Sequence, residues 1–146
     1  MVELNNKVKA MVSERWVNSV VNKILKESNR KGNISVALVS DKEIKRLNKK
    51  YRKKDEVTDV LSFSNLEGKK LAMPNGVDYL GEVIIGYGLM KQQSTEHGHS
   101  ERRELLILLI HGILHLLGYK HEGGGEQAEA MREKENKLFK LFKLVK

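Results

Sequence analysis

Leu105-Leu-Ile-Leu-Leu-Ile110-His111-Gly-Ile-Leu-His115-Leu-Leu-Gly118-Tyr-Lys-His121 is an apolar run that ends in three closely spaced imidazoles. Residues four apart on an α-helix share one face, one turn apart, so His111 and His115 point the same way. Gly118 can take the left-handed conformation that ends a helix, turning the chain back so that His121 approaches the same point. Three neutral imidazoles with no cysteine suit a Zn²⁺ ion whose fourth position stays open to water, which is a catalytic arrangement. Leu105 to Ile110 is apolar almost all round, so this helix is expected to be the buried central one, with its histidines facing a cleft. Histidines four apart on an apolar helix also occur as hydrogen-bonded core residues, but packing gives no reason for a turn glycine and a third imidazole to follow.

The spacing H-x3-H-x5-H is also that of metzincin proteases, whose motif begins His-Glu. There the glutamate takes the proton from metal-bound water. Here the second residue is Gly112. The metal ligands are kept and the peptide-hydrolysis base is lost, which makes a metalloprotease the weaker reading.

Working outward, Ser13-Glu-Arg-Trp opens a helical pattern whose apolar face is Trp16, Val17, Val20, Val21, Ile24 and Leu25, ending near Asn29 to Gly32. Ile34, Val36 and Leu38 alternate as in a strand. Ser40-Asp-Lys-Glu43 then has the form of a capping box, opening a short helix with Ile44, Leu47 and Tyr51 inward. Val57 to Phe63 and Tyr79 to Ile85 read as two more strands, separated by a loop containing Pro74 and Gly76. Helices are expected from Leu89 to about Glu96, from about Ser100 to Leu117, and from about Glu126 to Val145 after the joint Gly123-Gly-Gly125. No repeat or internal boundary interrupts the pattern. The expectation is one α+β domain over residues 1–146, a small mixed β-sheet packed with about five helices, with the three-histidine site at the end of the central helix.

With no cysteine, disulfides and thiol chemistry are excluded, and His, Asp and Glu remain as metal ligands. This suits a reducing cytoplasm. The segment Met1 to Lys7 lacks the apolar stretch of a signal peptide, and the run Leu105 to Leu117 is shorter than the roughly 18 residues of a membrane span. A soluble, cytoplasmic protein without a membrane partner is expected. The net charge of +8 is concentrated in Lys42, Lys45, Arg46, Lys49, Lys50, Arg52, Lys53 and Lys54, against Glu43 alone. A charge run of this kind is often a solvated helix face, but the excess of one sign favours phosphates. Lys137, Lys140, Lys143 and Lys146 read as solvated surface. Aromatic residues make up only 5% of the chain, which argues against an extended base-stacking platform and for recognition of backbone charge and of a larger assembly's shape.

Two separated motifs carry a resemblance. Asn48-Lys-Lys-Tyr51-Arg52-Lys-Lys-Asp55-Glu-Val-Thr58-Asp59-Val60-Leu61-Ser62-Phe63 and His111 to His121 together resemble the YbeY family of bacterial rRNA-maturation endoribonucleases. Leu80-Gly81-Glu82-Val83-Ile84-Ile85 and the stretch Glu126 to Glu135 are similar to two further signatures of that family, so the likeness runs from Val36 to Glu135. The resemblance implies a zinc-dependent endoribonuclease that cleaves single-stranded RNA in ribosomal RNA maturation and ribosome quality control. Its implied partners are ribosomal RNA and ribosomes or their subunits. It implies one Zn²⁺ per chain, replaceable by another divalent transition metal and held by His111, His115 and His121, with no organic cofactor. By position it makes Arg52 the functional arginine, and Lys49, Lys50 and Lys53 join it as candidate RNA-binding residues. The sequence departs from the family pattern at Lys120 and Glu82, where the family has Asp, and at Ser64, where it has Pro. Lys120 removes a carboxylate that would support the ligands.

The chemistry of RNA does not require the missing glutamate, because the 2′-OH is a nucleophile within the substrate. A guanidinium at Arg52 can hold two phosphate oxygens. The general base is unassigned among Glu82, Asp59, His97 and His99. A non-catalytic ribosome assembly factor with a structural metal is the rival reading.

Overall fold

The computed structural model of the protein describes residues 2–65, 78–120 and 125–142. Among these residues the strands are β1 (Val2–Asn6), β2 (Asn33–Val39), β3 (Val60–Ser64) and β4 (Tyr79–Gly86), in the spatial order β1-β2-β4-β3. The first three of that order are mutually parallel, and β3 runs antiparallel to β4 at the edge. Five helices accompany them: α1 (Glu14–Glu27), α2 (Asp41–Arg52), α3 (Tyr87–His97), α4 (Glu101–Leu116) and α5 (Gly125–Lys140). The architecture is the expected α+β class with a mixed sheet. His121, Pro74, Gly76, Gly123, Gly124, Lys143, Val145 and Lys146 lie outside the described residues.

Side-chain alternation along β4 sorts the core into two layers. Val83 and Ile85 join α1 and α4 on one face, where Val20, Val21, Ile24, Leu106, Leu109 and Ile113 are fully or almost fully buried. Ile84 faces the other way and meets Ala37, Val39, Leu61 and Ile44 of α2. Helix α4 is buried on nearly every side from Glu104 to Leu116, as its apolar sequence requires.

The caps explain where the helices begin. Ser13, Ser40 and Ser100 each accept a backbone N–H three residues on, at Trp16, Glu43 and Arg103. In the anticipated box at Ser40, the Glu43 carboxylate turns to Arg46 at 2.6 Å, and this hydrogen bond holds its pKa below the usual range. The neighbouring Asp41 serves another helix, accepting from the Leu89 N–H at the start of α3.

Three sequence expectations are corrected. The N-terminal residues form β1, whose pairing on β2 places Val2 against Ile34 and Leu4 against Val36. Residues 57–59 precede the strand; Asn48, buried in α2, donates to the Glu56 carbonyl at 3.0 Å and holds them as a connection. Tyr51 is 52% exposed, because the last turn of α2 overhangs the sheet edge, where its ring packs edge-on against Phe63.

Candidate metal centre

His111 and His115 lie on one face of the last turns of α4, with their Nε2 atoms 3.1 Å apart. Each Nδ1 faces an acceptor: Glu135 Oε2 from α5 at 3.0 Å for His111, and the Tyr119 carbonyl at 3.0 Å for His115. A carboxylate and a carbonyl can only accept, so both rings carry their proton on Nδ1 and present a lone pair at Nε2. Two ligands of a tetrahedral zinc ion at roughly 2.0–2.1 Å stand about 3.3 Å apart, close to what is observed. The spacing of these two nitrogens therefore fits two ligands of a zinc-class ion.

The turn beyond the helix is built as expected. Gly118 has φ +101°, and the Tyr119 N–H returns to the Leu114 carbonyl at 3.0 Å, which is what delivers the Tyr119 carbonyl to His115. Lys120 is exposed, and the carboxylate that faces His111 belongs to Glu135 of α5. Sequence reasoning did not assign Glu135 a role. Its only signal was membership of the Glu126 to Glu135 stretch, and the contact spans two helices.

Gly112 explains the absent protease-type glutamate. A Cβ at this position would come within 2.7 Å of Val83 Cγ1 and 3.1 Å of Ser62 Oγ. Position 112 thus points into the sheet, and any side chain there would be driven between β3 and β4 rather than toward the imidazoles.

Arg52 approaches the same edge strand from the opposite face of the sheet. Its Nη2 donates to the Ser62 carbonyl at 2.7 Å, and its guanidinium lies over the Phe63 ring at 4.7 Å. The Ser62 hydroxyl donates to the Gly112 carbonyl at 3.0 Å, so one residue links Arg52 to the histidine helix. Of the bidentate clamp expected of Arg52, one nitrogen is thus occupied by backbone. Lys49, Lys50 and Lys53 are exposed around the end of α2; Lys49 stands 3.9 Å from Asp55, and Lys50 lies 5.1 Å from the Tyr51 ring.

The four base candidates disperse. His97 and His99 both bind Glu104, two turns of α4 before His111. Asp59 uses its carbonyl to accept from Gly86. Glu82 lies opposite Phe63 on the α2 face of the sheet, and burial raises its pKa, with Lys7 opposing and Glu3 adding to the effect. Among the described residues, no helix is long and apolar enough to cross a membrane.

The fold and the paired imidazoles define a class: an α+β domain with a metal-ready histidine pair at the end of its buried helix. A family model described as Endoribonuclease YbeY matches residues 2–143, and the chain belongs to that family. A relative named Endoribonuclease YbeY from Aquifex aeolicus is 47% identical over 113 residues, covering 77% of this chain and 71% of its own. Another of that name, from Carboxydothermus hydrogenoformans, is 39% identical across 99% of both chains. The fold is also similar to a solution structure of a Thermotoga maritima protein, with a TM-score of 0.66 and 30% identity over 96% of this chain and 87% of that one.

Proposed function

We propose that this chain is a zinc-dependent endoribonuclease of single-stranded RNA, acting in the cytoplasm on ribosomal RNA during its maturation and in ribosome quality control. Membership of the family supports the reaction class. The observation that carries the metal dependence is the Nε2 pair of His111 and His115, each ring oriented from behind through Nδ1. His111, His115 and His121 are the proposed ligands. Bound zinc supplies Lewis-acid polarisation of a phosphoryl oxygen and lowers the pKa of bound water toward about 7.

The remaining work falls to the protein's own groups. Glu135 and the Tyr119 carbonyl hold the rings in the ligand tautomer. Ser62 and Phe63 fix the Arg52 guanidinium at the edge strand, where its charge would offset that developing on phosphate. Lys49, Lys50 and Lys53 draw the RNA backbone along the exposed end of α2 toward that edge. The packing around Gly112 disfavours peptide hydrolysis, since no carboxylate fits there.

The test is single-turnover cleavage of single-stranded RNA with metal content measured in parallel. His115→Ala is expected to lose both zinc and cleavage. Arg52→Ala should retain zinc and lose most cleavage, with Arg52→Lys recovering only part, because an ammonium cannot reproduce a planar, stacked guanidinium. Wild-type cleavage by either alanine variant would reject that residue's role. Fully loaded wild-type protein that cleaves neither RNA nor ribosomal particles would leave the assembly-factor reading in place.

A further inference from the structure

All five histidines of the chain fall in two groups, and the motif accounts for only three of them. The other two flank a turn that is fixed on both sides. His97 ends α3, Gly98 closes that helix at φ +70°, and Ser100 caps α4. The turn brings His97 Nδ1 and His99 Nε2 to 2.7 and 2.8 Å from the same oxygen, Glu104 Oε1. One ligand atom from each of the three residues can be chosen so that all lie within 4.8 Å of one another.

The group is graded from core to solvent. The Glu104 side chain is 3% exposed, that of His99 17% and that of His97 54%. A carboxylate this deep needs compensation for lost hydration. The two arginines preceding it in α4 are turned to aromatic rings, Arg102 over Trp16 at 4.7 Å and Arg103 over Phe139 at 4.9 Å. The two imidazoles both reach Glu104 through the single oxygen Oε1. A divalent ion would give both charge and coordination, entering from the His97 side with water completing its shell.

The donors select the ion. Two imidazole nitrogens and one carboxylate suit Zn²⁺, Co²⁺ or Ni²⁺, whereas Mg²⁺ and Ca²⁺ favour all-oxygen surroundings. The nitrogen–oxygen separations must open by roughly half an ångström to admit such an ion, a change within reach of the exposed His97 ring. Glu104 and His111 are seven residues apart, about 10 Å along the helix, well beyond the roughly 3.5–4 Å between ions that share a phosphate. We infer that His97, His99 and Glu104 form a second, independent site for a borderline divalent transition ion, which clamps the end of α3 to the start of α4.

The inference is separable from the motif site. The full chain, stripped with chelator, is titrated with Co²⁺ and followed by visible absorption and calorimetry. Wild type is expected to take up about two equivalents, and a His111→Ala/His115→Ala variant about one. Adding Glu104→Gln keeps an oxygen that accepts both ring N–H groups, so the turn persists, but the anionic ligand is lost and affinity should fall at least about tenfold. His99→Ala should abolish the remaining equivalent. If the double variant does not fold, Glu104→Gln alone in the wild-type background should remove one of two equivalents. Absence of Co²⁺ binding by a folded double variant, or binding unchanged by Glu104→Gln, overturns the inference. One equivalent in wild type that survives His111→Ala/His115→Ala and is weakened by Glu104→Gln would reject the motif site and uphold this one.

Discussion

Glu135 and Glu82 are half-buried carboxylates in opposite situations, one on a helix and aimed at an imidazole, the other on strand β4 opposite Phe63. Glu135 fixes the His111 tautomer, so Glu135→Ala should weaken zinc retention by about 10- to 100-fold in chelator competition while secondary structure is unchanged. Burial raises the pKa of Glu82, so the folded state holds this proton more tightly than the unfolded chain does. Stability is therefore lost as pH rises from the ordinary glutamate value through the raised one. Glu82→Gln should melt higher than wild type near neutral pH, with the difference vanishing below about pH 4 in thermal scans. The histidine pair was legible because helical spacing is a local property. Glu135 was not, since it meets His111 across a separation of 24 residues and only the docking of α5 on α4 brings it there. The departure at Lys120 was equally legible, but not that the carboxylate facing His111 comes from another helix.

At the scale of elements, α4 packs on the sheet closely enough that Gly112 meets β3 and β4 directly. Gly112→Ala should destabilise the protein by about 1–3 kcal/mol in urea denaturation, since Val83 and Ser62 must yield to the added methyl. Better intrinsic helix propensity for alanine offsets only about 1 kcal/mol of that. Elements with a capping serine and a long periodic face were readable from sequence, as at Ser13, Ser40 and Ser100. Strand β1 was missed because Val2 and Leu4 are a short alternation whose meaning depends on the neighbouring strand. The true start of β3 depended likewise on a tertiary bond, from Asn48 to the Glu56 carbonyl.

For the whole molecule, the positive charge gathers at one end of α2, beside the edge strand that both halves of the candidate site touch. The combined Lys49→Glu, Lys50→Glu and Lys53→Glu variant should bind single-stranded RNA more weakly with zinc content unchanged. Its salt dependence should be shallower by about two units of log affinity per log salt, at roughly 0.7 per phosphate contact; fluorescence anisotropy across ionic strengths measures both. A wild-type affinity independent of salt would remove the patch from RNA recognition. The edge strand also carries a constraint on register. Ser62 engages Gly112 through its hydroxyl on one face, while Phe63 lies beneath Arg52 on the other. A slip of one residue would exchange those faces, placing an aromatic ring where the helix leaves no room and a hydroxyl beneath the guanidinium. A change that shifted the β3–β4 pairing by one residue would therefore uncouple the arginine from the histidines while leaving every proposed functional residue in the chain.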